Sequence, residues 1–110
     1  MHHPQYYYLE GKTPVPCRMD DRKRFEYGIG QDVFRVALTP IAPKVEVSTV
    51  FLGLDHNWGI GPPLLFETMI FGGVHDEYQE RYSIWDEAEA GHARAVALAR
   101  EACQPVGEVH

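Results

Sequence analysis

Two strongly apolar runs stand at the centre of the chain, in STVFLGLDHNWGIGPPLLFETMIFGG (48–73). A Gly/Pro loop separates them, and the first ends abruptly in Asp55, His56 and Asn57. Just before them, DVFRVALTPIA (32–42) and KVEVSTVFLGLDH (44–56) flank a proline-bearing turn and are rich in Val, Phe, Leu and Thr, the pattern of a β-hairpin. PLLFETMIF (63–71) is expected to pair back onto the second strand across the NWGIGP loop. GGVHD then turns into a further strand, EYQERYS, whose Tyr78, Glu80 and Tyr82 fall on one side. Near the start, QYYYLE (5–10) carries strand-forming aromatics and stops at the turn signal GKTP. PVPCRMDD reads as irregular chain, because its two prolines remove amide donors and restrain their predecessors. Asp20 is placed to cap a short helix over 21–27, ended by Gly28.

The C-terminal third changes period. Ile84, Ala88, Gly91, Ala95, Leu98 and Ala102 recur at steps of three and four, which gathers them on one helical face. Ser83 with Asp86 resembles a capping box, Asp86, Glu87 and Glu89 lie toward the positive end of the dipole, and Arg94 and Arg100 lie toward the negative end. Pro105 marks where the helix must have stopped. A face of Ala and Gly allows close approach to a sheet. The expected architecture is α+β: one domain over 1–110, an antiparallel sheet of four to five strands, one long C-terminal helix packed on one face, and short frayed ends at 1–4 and 105–110.

A simple register places His56 opposite Leu64. One face of the pair then carries Val50, Leu52, Leu54 and His56, opposite Leu64, Phe66, Thr68 and Ile70, and suits the helix. The other carries Thr49, Phe51, Gly53 and Asp55, opposite Leu65, Glu67, Met69 and Phe71. Glu67 faces Gly53 there, with Asp55 on the diagonal. A strand glycine between two acids, floored by Phe51, Met69 and Phe71, predicts a shallow pocket with an acidic end. The candidate binding residues are Phe51, Asp55, His56, Asn57, Trp58, Glu67 and Met69. Structural roles stand beside this one. Asp55 and Asn57 suit side-chain-to-backbone hydrogen bonds that hold the next turn, Glu67 suits pairing with Arg35 or Arg81, and His56 suits the rim of the core. A slip of one residue would exchange the two faces.

Charge narrows the partners. Sixteen acids against ten bases give a net charge of -6, which disfavours general nucleic-acid binding. The RKR cluster at 22–24 is offset by Asp20 and Asp21. The acidic surplus is compatible with mimicry of nucleic acid toward a basic partner and equally with plain solubility. Cys17 and Cys103 form no framework and no C-x-x-C pair, as expected of reduced thiols in a cytoplasmic protein. MHHPQYYYLEG lacks the basic start and apolar stretch of a secretion signal, and no apolar run approaches the ~20 residues that span a bilayer.

The spacing of His56, His75, His92, Asp55 and Glu67 fits no metal motif, so no metal or cofactor is expected. His92 borders the small-residue face of the helix and suits a hydrogen-bonded core histidine. GIGQD and NWGIGPP lack the lysine and the strand–loop–helix spacing of a phosphate cradle, and no G-x-S-x-G occurs. Two carboxylates near a histidine would still allow acid–base work if burial separated their pKa values.

EGKTPVPC, VSTVFLGLDHNWG, PLLFETMIFGG and RYSIWDEAEAGH, spread over most of 7–92, resemble small proteins encoded by bacteriophages and prophages. The resemblance implies a context, and it carries no residue role to any position here. Small accessory phage proteins often act by binding in the cytoplasm of the bacterial host, blocking a defence complex or sequestering its nucleotide signal. The first expectation is therefore a non-catalytic counter-defence binding module, with a host protein or a nucleotide-like ligand as partner and homo-oligomers allowed. It would use the Asp55/Glu67 face, the 57–63 loop and the aromatic strand Tyr6 to Tyr8. The alternative is a small hydrolase or lyase using Asp55, His56 and Glu67 as acid, base or metal ligands. A structural component of the particle is a third reading.

Overall fold

The structure, a computed structural model, describes residues 6–18, 35–57 and 59–103. The expected helix over 21–27 and both chain ends lie outside them. The α+β arrangement is as expected. A hairpin, β1 (Tyr6–Glu10) with β2 (Thr13–Cys17), stands beside a four-stranded antiparallel meander of β3 (Arg35–Ala42), β4 (Val45–Phe51), β5 (Phe66–Phe71) and β6 (Gln79–Tyr82). The helix α1 (Trp85–Ala102) packs across all four strands of the meander.

The prolines of residues 13–17 do not prevent a strand, which corrects the expectation of irregular chain. Pro14 pairs with Leu9 and Pro16 with Tyr7. Residues two apart point their backbone groups the same way, so both missing N–H groups fall on the side away from β1. An edge strand tolerates proline there.

Residues 52–56 hold the main difference from the sequence reading. β4 ends at Phe51, opposite Phe66, and the Leu52 amide still donates to Leu65 O at 2.7 Å. The next bond back to that segment is from the His56 amide to Leu64 O at 3.0 Å. His56 does meet Leu64, but residues 53–55 are spooled out between the two bonds. Gly53 takes a positive φ of 73° there, its carbonyl accepts the Tyr7 amide at 3.0 Å, and Leu54 bridges to Tyr6. The chain leaves β5 to bind the N-terminal hairpin.

Three residues is an odd offset, and an odd offset exchanges faces. Glu67 stands opposite Val50 instead of Gly53. Val47, Thr49 and Phe51 pair with Ile70, Thr68 and Phe66 on the helix side, and all six are buried. Glu46, Ser48 and Val50 pair with Phe71, Met69 and Glu67 on the other side.

The core follows from that register. Phe51 and Phe66 lie 5.4 Å apart, Trp85 meets Phe66 edge-on at 6.1 Å, and Leu9, Leu65, Tyr82 and Ala88 complete the cluster. A second cluster joins Val47 and Ile70 to Ala95 and Ala99. Burying each phenylalanine contributes roughly 1.5–3 kcal/mol. Small residues on α1 allow close contact. At Gly91 a Cβ would lie 2.0 Å from the Tyr82 hydroxyl, so the phenol occupies the space a side chain would take.

Two details of the helix differ from expectation. Ile84 is the N-cap and gives no side-chain cap bond, while Glu87, not Asp86, reaches back to the Ser83 amide at 3.3 Å. The Glu87 carboxylate thus holds the amide just before the N-cap, and no capping hydroxyl accompanies it. Ile84 and Ala102, placed by spacing on the packed face, are exposed at the helix ends, and His92 and Ala99 are buried on it.

Candidate functional site

The three polar residues that close the first apolar run brace the loop that follows. Asp55 Oδ1 accepts the Asn57 amide at 2.7 Å and the Leu64 amide at 3.0 Å, clamping the two ends of the loop together. Asn57 ties its interior: its side-chain oxygen accepts the Gly59 amide at 3.0 Å, and its Nδ2 donates to Pro62 O at 2.8 Å and Ile60 O at 3.5 Å. His56 donates from Nδ1 to Leu54 O at 2.7 Å, which fixes the proton on that nitrogen and holds the spooled-out turn. The turn-holding role of Asp and Asn is therefore the one the geometry supports.

At the tip of this braced loop stands Ile60, 104% exposed. Trp58, the other large apolar residue of the loop, lies outside the described residues. Tyr7 is half-buried beside the spooled-out turn, and its phenol is pushed above its ordinary value, first by burial and then by the charge of Asp55.

Glu67 belongs to a different neighbourhood. Arg81 Nε meets its Oε2 at 2.9 Å and the Gln79 amide donates to the same oxygen, so the expected pairing with Arg81 is present. Among the described residues, the pocket drawn from the sequence has no counterpart. Phe51 is 2% exposed in the core, Gly53 is covered by β1, and Met69 sits on the sheet side away from α1. Two shallow hollows of about 340 and 270 Å³ lie elsewhere, along residues 74–78 and between Lys12–Pro14 and Ile84–Asp86, and none of the expected site residues lines either.

The sequence reading missed a second polar system, buried beneath α1. His92 is held on both ring nitrogens, by Thr49 Oγ1 at Nδ1 (2.7 Å) and by Thr39 Oγ1 at Nε2 (2.8 Å), so the expected hydrogen-bonded core histidine is present. Thr49 also meets Thr68 at 2.5 Å, and the Tyr82 hydroxyl donates to Glu80 Oε1 at 2.8 Å. Arg94 completes the far end at 3.0 Å from the same carboxylate oxygen. Thr49, Thr68 and Glu80 are direct cross-strand partners, which is the sequence signal, but it is readable only once the register is known. Burial raises the Tyr82 phenol to about 12, with Glu80 adding to the rise, and lowers His92 from its ordinary value. The bond from Tyr82, joined by Arg94, lowers the Glu80 carboxyl.

Among the described residues, no group of three or more His, Cys, Asp and Glu is placed to hold a metal ion, and no helix is long and apolar enough to cross a membrane. Fold and site together define a small α+β protein with a polar seam under its helix and a loop braced by Asp55 and Asn57. No family model, no curated protein and no solved structure matches the chain.

Proposed function

We propose that this chain is a small non-catalytic binding protein of phage type, acting in the host cytoplasm and gripping a host protein through its braced loop. The observation that carries this reading is Ile60, wholly in solvent at the tip of a loop tied by Asp55 and Asn57. Such a side chain contributes nothing to the core. Buried against a partner it would contribute roughly 1.5–3 kcal/mol. A loop already held by its own side chains loses little further freedom on binding. Exposed Leu38 and Phe71 on the meander supply further apolar surface.

The counter-defence reading, in which the partner is a host defence complex, rests on the phage resemblance of the sequence. The acidic balance favours a basic protein surface over nucleic acid. The hydrolase reading draws no support from the geometry. Asp55 and His56 are tied to their own loop, and Glu67 is neutralised by Arg81.

Native mass spectrometry of the protein purified from infected host cells tests this, with Ile60→Asp run in parallel. The expected result is a protein partner in fixed stoichiometry on the wild type, lost from a variant whose melting curve is unchanged. Equal capture by both forms, or a retained nucleotide or metal in place of a protein, would overturn the proposal. The same spectrum reports the number of subunits.

A further inference from the structure

Four side chains from four elements form one file of hydrogen bonds beneath α1: Thr39 (β3), His92 (α1), Thr49 (β4) and Thr68 (β5), with Tyr82 and Glu80 (β6) bonded to each other beyond its end. The Glu80 carboxylate, held by Arg94, only accepts, so the Tyr82 hydroxyl donates to it. Each ring nitrogen of His92 faces one threonine hydroxyl, and a hydroxyl can donate or accept. A neutral ring has one N–H and one lone pair, so one threonine accepts from it and the other donates to it. Both ring nitrogens are satisfied when the imidazole is neutral.

We propose that this file makes the seam between helix and sheet an acid-sensitive latch: α1 is held while His92 is neutral, and its docking weakens once the ring takes a second proton. The added proton points at the hydrogen that one of the two threonines already donates, so that hydroxyl must reverse. The charge also has no counter-ion in contact among the described residues. β3, β4 and β5 turn the hydroxyls of Thr39, Thr49 and Thr68 toward the ring. β6 presents the phenol of Tyr82 with Glu80, Tyr78 just before it adds a second phenol, and the Glu80 carboxylate is already bound by Arg94. On the helix itself, Arg94 is a cation, and Glu89, one turn before the ring, is exposed. Burying an unpaired charge is costly.

Burial alone lowers His92 below its ordinary 6.5. As pH falls the unfolded chain is protonated first, so this contribution is complete above about 6.5 and is lost as pH falls toward the folded value. The folding constant falls by up to about tenfold per pH unit between the two values.

Nitrogen-15 spectra of the His92 ring in the wild type, with amide hydrogen exchange along α1, provide the test. The expected ring is neutral at neutral pH and titrates below its ordinary value. The α1 amides, corrected for intrinsic rates, should exchange faster at about pH 5 than at about pH 7.5. His92→Gln keeps one donor and one acceptor without titrating, and should abolish that acid dependence. A titration at or above the ordinary value, or equal acid dependence in His92→Gln, would overturn the latch. Should His92→Gln fail to fold, the wild-type ring spectra and the α1 exchange decide alone.

Discussion

The seam beneath α1 and the brace at 55–57 are built from the same kinds of bond and do opposite work. In the seam, Thr49 and Thr68 are fully buried, His92 is nearly so, and the bonds among Thr39, His92, Thr49 and Thr68 join residues far apart in sequence. The helix cannot shift on the sheet without breaking several of these bonds. In the brace, Asp55 and Asn57 bond to backbone within nine residues of themselves, and the loop they shape reaches into solvent. Burial separates the two systems. A donor stranded in the seam finds no water and costs its full desolvation penalty, while one stranded in the brace can be hydrated.

The strongest attack on this contrast is Thr49→Val, which keeps the shape of a buried residue and deletes its hydroxyl. Nδ1 of His92 and the hydroxyl of Thr68 both lose their partner. Each orphaned group costs about 1–3 kcal/mol, partly offset by the added apolar burial, for a net destabilisation of roughly 2–4 kcal/mol. Urea unfolding at neutral pH measures it. A loss no larger than that of the next variant would erase the distinction between seam and brace.

Asp55→Ala sharpens the contrast from the other side. The amides of Asn57 and Leu64 lose their acceptor at a half-buried site, and the expected cost is about 1–2 kcal/mol, comparable with deleting a helix cap. Hydrogen exchange should speed at those two amides while α1 keeps its protection. Protection lost throughout the meander would show that the brace supports the core after all.

The sequence disclosed the elements better than their partnerships. Alternation and apolar runs located β1 and β3 to β6, and the Ala/Gly period located α1, because those patterns are local. Register escaped because Gly53 and its neighbours are spent on β1, some fifty residues away in the chain, and nothing local announces three extra residues. That one event carried Phe51 into the core and separated Gly53 from Glu67. The seam was hidden for the same reason: Thr49 and Thr68 pass as ordinary strand formers until the ladder sets them side by side under His92. What remained readable was the pairing of Glu67 with Arg81 and the turn-holding chemistry of Asp55 and Asn57, each of which depends on residue type and close placement more than on the whole fold.

Ile60→Asp should have the smallest effect on folding of all. The side chain is 104% exposed and belongs to neither core cluster, so the unfolding free energy should stay within about 0.5 kcal/mol of wild type. The loop bonds at this position use only the backbone carbonyl, which the substitution keeps. Thermal melts of the two proteins at equal concentration should therefore overlay. A clear drop would mean that Ile60 is buried in solution, by another part of the chain or by a second copy, and a dependence of that drop on protein concentration would identify the second copy. Overlaying melts would leave an isoleucine held in water with no role in stability, and its purpose would then lie in what it touches outside the chain.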